Sequence, residues 1–88
     1  MRLVNEIESL RKLIDIGIRA KASCNFDEAT INLNRARDFA LYLLNCSKEP
    51  TTLEEHNRIT NLESIVRTCS SELKEIKFLR KEFPNVTL

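Results

Sequence analysis

A long, uninterrupted amphipathic stretch in the second half of the chain constrains its fold more than any other feature. From Thr52 to Glu82 there is neither glycine nor proline. Apolar residues recur along it at steps of three and four, as residues on one face of an α-helix do. This stripe consists of Ile59, Leu62, Val66, Cys69, Leu73 and Ile76. A helix of roughly 30 residues is about 45 Å long. The rest of an 88-residue chain is too short to surround such a rod, so we expect the core to be completed by a neighbouring chain.

Two shorter helices are predicted upstream of this stretch. We place the three helices at about 2–22, 26–45 and 52–82. The second helix carries three alanines among the five positions of its stripe, which favours close packing against an antiparallel neighbour. The stripe of the first helix is Leu3, Ile7, Leu10, Ile14 and Ile18, and that of the second is Ala29, Leu33, Ala36, Ala40 and Leu43.

Capping residues mark the helix boundaries. Asn25 stands three residues before Glu28, a spacing that resembles a capping box. Thr51 and Thr52 are each followed by glutamate at the same spacing, so either can cap the third helix. The third helix is expected to end before Pro84, because proline disfavours helical geometry in the residue ahead of it.

The predicted fold is all-α. It is a helical hairpin of two long antiparallel helices plus an N-terminal helix, one domain over residues 1–88, assembled as an oligomer. Gly17, the only glycine, lies inside the first helix, where it costs about 1 kcal/mol relative to alanine. It is either a tolerated interior glycine or the point where another helix crosses closely.

Composition argues against several classes of function. The net charge of +1 lacks the surplus of cations that a general DNA-binding surface requires. The single His56 has no second histidine or cysteine at metal-binding spacing, the three cysteines form no C-x-x-C pair, and one glycine cannot build a phosphate-binding loop. We therefore expect no enzyme activity, metal or cofactor. The chain has no signal peptide and no membrane-length apolar run, which predicts a cytoplasmic protein without membrane contact.

One stripe of the second helix combines groups suited to a nucleotide. Asn32, Arg35, Phe39 and Tyr42 follow one another at steps of three, four and three. Arginine pairs with phosphate, aromatic rings stack on bases, and asparagine reads base edges. The alternative is that Phe39 and Tyr42 belong to the core or to a subunit interface and that Arg35 is solvated.

Further candidate ligand contacts lie on the other two helices. Arg67 shares a polar face of the third helix with neighbouring hydroxyl and cationic groups. Arg19 and Lys21 lie close in sequence to Phe26, so a phosphate and a base could be held there together. The alternatives are a hydrated face for Arg67, and a helix-dipole role for the two cations in the last turn of the first helix.

Four motifs between Ala36 and Val66 carry a family resemblance. They are Ala36-Arg37-Asp38-Phe39-Ala40, Leu43-Leu44-Asn45, Pro50-Thr51-Thr52-Leu53-Glu54 and Leu62-Glu63-Ser64-Ile65-Val66. Through them the segment from Ala29 to about Leu73 resembles the hairpin domain of phage anti-CBASS cyclic-nucleotide sponges. The resemblance implies a homo-oligomer, typically a hexamer, in the host-cell cytoplasm. Such a protein sequesters cyclic di- or trinucleotides such as cGAMP without cleaving them. The Arg67-Thr68-Cys69-Ser70 segment departs from the small residues of the family pattern.

A second resemblance competes with the first. Asn25-Phe26-Asp27-Glu28-Ala29, followed by Cys69-Ser70-Ser71-Glu72-Leu73 in the last helix, is similar to the microtubule-interacting-and-transport (MIT) domain or a tetratricopeptide-like unit. It implies a three-helix adaptor in which a groove between helices takes an amphipathic peptide of a partner protein.

Overall fold

Three α-helices make up nearly all of the computed structural model, which describes residues 4–47 and 49–82. They are α1 (Val4–Ala22), α2 (Phe26–Cys46) and α3 (Leu53–Glu82), and the described residues contain no strand. The all-α prediction is therefore confirmed. The predicted start of the first helix at Arg2, its stripe residue Leu3, and the predicted stop at Pro84 lie outside the described residues.

The helix ends use the predicted caps. Asn25 Oδ1 accepts from the Glu28 backbone N–H at 3.4 Å, at the start of α2. Thr52 Oγ1 accepts from the Glu55 N–H at 3.1 Å, and the Glu55 carboxylate accepts in turn from the Thr51 N–H at 2.9 Å. The first bond satisfies a donor that a helix leaves unpaired in its first turn, and the second ties the residue before the cap to α3.

The connection between α1 and α2 is a tight turn made without glycine. Cys24 adopts a left-handed backbone with φ of 64°. The N–H groups of Cys24 and Asn25 donate to the carbonyls of Lys21 and Ala20 at 2.9 and 2.8 Å, which closes the end of α1. A left-handed residue just past a helix is usually glycine, because a Cβ there is strained.

The central helix is α2, and α1 and α3 both pack along it. Arg58 donates to Ser47 Oγ at one end of α2, and Arg80 pairs with Asp27 at the other, so α3 runs antiparallel to α2. The molecule measures 50 × 22 × 16 Å, with α3 along its length.

α1 and α2 cross closely at Gly17. A Cβ added at Gly17 would lie 2.7 Å from Leu33 Cγ and 3.4 Å from the Ala29 carbonyl oxygen. Of the two interpretations of this glycine, close crossing is confirmed.

The core forms where the stripes of the three helices meet. Ala29, Ala36 and Ala40 are completely buried, as the alanine seam predicted. On α3, Ile65 is buried although it is not a member of the stripe predicted from the sequence. The buried residues of α3 are Leu62, Ile65, Cys69 and Ile76. The chain covers these residues itself, and it leaves the remaining members of the stripe, Ile59, Val66 and Leu73, half-buried.

Candidate functional site

Two rows of half-buried residues border one side of the seam between α2 and α3. The residues of each row are spaced seven apart, so each row follows one flank of its helix. We call the surface between the two rows the α2–α3 groove. Its α2 row is Thr30, Arg37 and Leu44, and its α3 row is Ile59, Val66 and Leu73.

The antiparallel packing sets which ends of the two rows meet. Leu44 lies at the same end of the groove as Ile59, Thr30 lies at the same end as Leu73, and Arg37 stands in the middle. From Ile59 to Leu73 the groove extends for about 21 Å, or roughly four helical turns. Its length is therefore that of one short helix.

The first helix leaves this groove uncovered because it meets α3 on the other flank. Lys21 Nζ lies 2.6 Å from Glu72 Oε1 and 2.7 Å from Glu75 Oε1. Near the opposite end of α1, Glu6 Oε1 accepts from Arg58 at 2.8 Å. These ion pairs hold α1 beside α3, with few other contacts between the two helices.

The groove is apolar apart from Thr30 at one end and one cation in the middle. Leu44, Val66 and Leu73 pack against the core and keep part of their surface exposed. The Arg37 side chain is 35% exposed, and its Nε lies 3.7 Å from Asp38 Oδ1. A partly desolvated guanidinium between aliphatic walls favours a ligand that is apolar with an acidic group.

Beneath the groove, the Cys69 thiol behaves as a small apolar group. It is completely buried, and burial raises the pKa of Cys69 to about 11 against a smaller opposing effect of Arg37. The thiol is therefore protonated at neutral pH, whereas a nucleophilic cysteine requires the thiolate.

Two open cavities lie at the end of the molecule near the α2–α3 loop. One measures about 350 Å³ and the other about 520 Å³, and both border Arg58 and Glu55. Arg58 is already held by Glu6 and Ser47. The Glu55 carboxylate is engaged at the start of α3, where hydrogen bonds from Thr51 lower the pKa of Glu55. Both charged groups thus stabilise the fold before any ligand arrives.

Three of the predicted ligand contacts share one flank of α2. Asn32 is half-buried, and its amide donates to the Glu28 carbonyl at 2.9 Å. Arg35 and Tyr42 are exposed. The Tyr42 ring stacks on Phe39, with ring centroids 6.3 Å apart and an interplanar angle of 12°. The structure thus assembles an exposed aromatic pair close to an arginine.

The Tyr42 hydroxyl is neutral at physiological pH, as the ordinary tyrosine pKa of about 10 already requires. The Cys46 side chain, one turn further along α2, hydrogen-bonds Tyr42 and raises the pKa of its hydroxyl. Tyr42 is therefore a neutral hydrogen-bonding group at physiological pH.

The other predicted contacts are dispersed over the molecule. Phe26 is 4% exposed and belongs to the core, which leaves little of its ring for a ligand. Lys21 is engaged with two carboxylates of α3, and Arg19 pairs with Asp15 at 3.2 Å. Arg67 is exposed on the far side of α3 from the buried residues. One protomer therefore does not bring the seven residues into a single site.

Thr30, Arg37 and Leu44 were not among the residues predicted from the sequence to form a site. Their signal was the spacing of seven, which matches the spacing of Ile59, Val66 and Leu73 on α3. The α3 row was assigned wholly to the core, and the periodicity of an isolated helix cannot tell a covered flank from an open one.

No known protein family, curated protein or solved structure matches the chain. Within residues 4–47 and 49–82, no helix has the length and apolar character needed to cross a membrane. No group of three or more histidine, cysteine or acidic side chains is placed to hold a metal ion in the same ranges.

Proposed function

We propose that the protein is a non-enzymatic three-helix adaptor whose α2–α3 groove binds an amphipathic helical segment of a partner protein. The observation that carries this proposal is the pair of facing rows on α2 and α3. Both rows have the seven-residue spacing of a helix flank, both are half-buried, and α1 packs on the other side. An amphipathic helix laid in such a groove inserts residues at steps of three and four.

The groove also specifies the chemistry of the bound helix. Its aliphatic walls require large apolar side chains such as leucine along one stripe. Arg37, at the middle of the α2 row, favours a glutamate or aspartate beside that stripe, since the pair would be partly shielded from water. The MIT-like features at Asn25–Ala29 and Cys69–Leu73 support the same class of function.

A synthetic peptide tests the proposal directly. The probe is a fluorescein-labelled peptide of about five helical turns, with leucines at helical spacing and glutamates beside them. We expect saturable binding in fluorescence anisotropy, and amide shift changes in NMR spectra centred on Val66 and Leu44. A peptide of the same composition in scrambled order should bind at least tenfold more weakly. Equal binding of both peptides, or shift changes confined to other surfaces, would contradict the proposal.

Charge reversal in the groove provides a matched control. Arg37→Glu should weaken the binding of the glutamate peptide by about tenfold, because each 1.4 kcal/mol of lost interaction is a factor of ten in affinity. The same variant should bind more tightly a peptide in which lysine replaces glutamate. Arg67→Glu, with the same charge change on the far face of α3, should leave both affinities unchanged.

A second candidate function rests on the Phe39–Tyr42 pair. An exposed aromatic stack with Arg35 on the same helix flank supports the cyclic-oligonucleotide sponge that the family resemblance implies. In that case, Arg35 would neutralise phosphate and the rings would stack on a base. The homo-oligomer, up to a hexamer, belongs to this candidate, because Arg67 could join Arg35 only across a subunit boundary.

A thermal-shift panel tests the sponge. A bound cyclic di- or trinucleotide should raise the melting temperature as its concentration exceeds Kd, and it should be recovered intact after heating. Arg35→Ala should abolish the shift, whereas Lys12→Ala, an exposed cation on α1, should not. The absence of a shift with every cyclic nucleotide would exclude this candidate.

A further inference from the structure

The outward face of α2 carries a stripe that is unusual for the central helix of a bundle. Its members are exposed and recur at steps of three and four, opposite the buried alanine seam. We call it the outer stripe of α2, and it comprises Glu28, Ile31, Arg35, Asp38, Tyr42 and Asn45. Ile31 is 53% and Tyr42 60% exposed, and two further exposed apolar residues, Phe39 and Leu41, flank the stripe. Four of the eight large apolar residues that are exposed in the described part of the chain thus lie on α2, and such a concentration of apolar surface indicates a contact surface.

The outer stripe has the same spacing when read from either end. A two-fold axis passing between Ala36 and Arg37 would bring a second α2 helix against it in the antiparallel direction. Arg35 would then lie opposite Asp38 of the second copy, and Ile31 opposite Tyr42 of the second copy. The same relation holds in reverse, so that the stripe complements itself in charge and in apolar character.

The two charged residues at the centre of the stripe are available for such pairing. Among the ion pairs of the described residues, none involves Arg35. Asp38 has a single 3.7 Å approach from its neighbour Arg37, and its side chain is 71% exposed. An ion pair this open is weak in water, so both groups retain most of their capacity to pair with a second copy.

We propose that the outer stripe of α2 is a homodimer interface, in which two α2 helices pack antiparallel and exchange two Arg35–Asp38 ion pairs. Ile31 and Tyr42 enclose the charged centre on both sides and reduce its exposure to water. The α2–α3 groove lies on another flank of α2 and stays open in this dimer. The dimer therefore does not depend on the adaptor function, and one proposal can fail without the other.

The size of the stripe sets the strength of the dimer. From Glu28 to Asn45 it extends for about 26 Å along one helix. Two such stripes bury less than the roughly 800 Å² per partner that is typical of stable complexes. We therefore expect a weak, concentration-dependent dimer that weakens further as salt screens the ion pairs.

Charge swaps test the antiparallel register. Sedimentation equilibrium of the full chain, carried to millimolar concentration, should fit a monomer–dimer equilibrium. Arg35→Glu places like charges opposite each other and should raise the dimer dissociation constant at least tenfold, and Asp38→Arg should do the same. The R35E/D38R double variant restores opposite charges and should recover self-association to within about threefold of the parent. Both predictions follow from repulsion between facing like charges.

Mixing the two single variants makes the test specific. Neither variant should self-associate, but an equimolar mixture should form a heterodimer, because one presents two acids and the other two arginines. Lys12→Glu, a charge reversal at an exposed cation on α1, serves as the matched control and should leave the dimer intact. A monomer at every concentration would overturn the proposal. So would single variants that dissociate the dimer without recovery in either the double variant or the mixture.

Discussion

The two seams made by α1 differ in kind. Against α2, it packs through Gly17 and buried apolar residues, at a distance where an added methyl group would displace the Leu33 side chain. Against α3, it is held near its two ends by ion pairs of Lys21 and Glu6, with little apolar contact between. Dispersion and apolar burial fix the first seam, and electrostatics fixes the second. The first seam should therefore carry most of the stability and the second most of the dependence on salt and pH.

The largest effect on stability is expected at the apolar contact between α1 and α2. Leu33 is completely buried and covers Gly17. Leu33→Ala should lower the free energy of unfolding by about 3 kcal/mol, from lost burial plus the cavity left behind. The measurement is urea unfolding followed by circular dichroism. Leu53→Ala, at a residue that is 75% exposed, is the control and should change stability by less than about 0.5 kcal/mol. Similar losses in both variants would contradict the assignment of Leu33 to the core.

The next largest effect is expected at the position where α1 and α2 approach each other most closely. Gly17→Ala places a Cβ 2.7 Å from Leu33 Cγ, so the buried leucine must move. Overpacking typically costs about 1–3 kcal/mol, and alanine returns about 1 kcal/mol of helix propensity, so a net loss of about 1 kcal/mol follows.

A double-mutant cycle separates these two contributions. In the Leu33→Ala background the steric conflict is absent, and Gly17→Ala should become stabilising by about 0.5–1 kcal/mol. A loss of the same size in both backgrounds would show that the leucine is not the cause.

A smaller effect on stability is expected at the contact between α1 and α3, which ion pairs hold together. Lys21 is 18% exposed and joins two carboxylates of α3, so Lys21→Met should cost about 1 kcal/mol at low salt, with the loss reduced at high salt. Arg19→Met removes a pair with Asp15 whose side chains are 79% and 55% exposed, and it should cost less than about 0.3 kcal/mol. Urea unfolding at two salt concentrations distinguishes the variants. A loss that does not respond to salt would indicate packing by the lysine stem instead.

Alkaline pH provides an independent probe of the same seam. Hydrogen bonds to Glu72 and then Glu75 raise the pKa of Lys21 above its ordinary value of 10.5. When folding raises the pKa of a group, that group contributes its full stability at pH values below the ordinary, unfolded-state pKa. The contribution is lost as the pH rises through the raised, folded-state pKa. The difference between the parent and Lys21→Met should therefore be constant from pH 7 to about 10 and shrink above about 10.5. A difference that shrinks below pH 9 would contradict the assignment.

The smallest effect is expected in the turn that leads α1 into its apolar seam. Cys24 holds a left-handed backbone, which costs a non-glycine residue about 1–2 kcal/mol. Its side chain recovers part of that cost by packing against the core. Cys24→Gly should thus stabilise the chain by about 0.5 kcal/mol. Ser23→Gly, at the neighbouring exposed position, should destabilise it instead.

Capping preferences and the spacing of apolar residues predicted the positions and bounds of the helices well. Asn25 and Thr52 are caps, the alanines of α2 form a buried seam, and the helix bounds fall within one or two residues of the predicted ones wherever both are described. The residues of the candidate site were predicted less well by the same reasoning. Phe26 was grouped with Arg19 and Lys21 because the three are close in sequence, but the close fit of the turn buries the ring and the ion pairs of α3 engage Lys21. Burial and pairing between helices are tertiary properties that a single stripe does not encode.

The single glycine also limits where α1 can lie. A stripe of small and aliphatic residues, such as that of α2, could accept a neighbouring helix in several positions displaced by one or two turns. Only one of those positions sets Gly17 over Leu33, and a displacement by one turn would bring a residue that has a Cβ over the leucine instead. The glycine thus gives up helix propensity and in return disfavours misaligned packings, which contributes to the uniqueness of the fold.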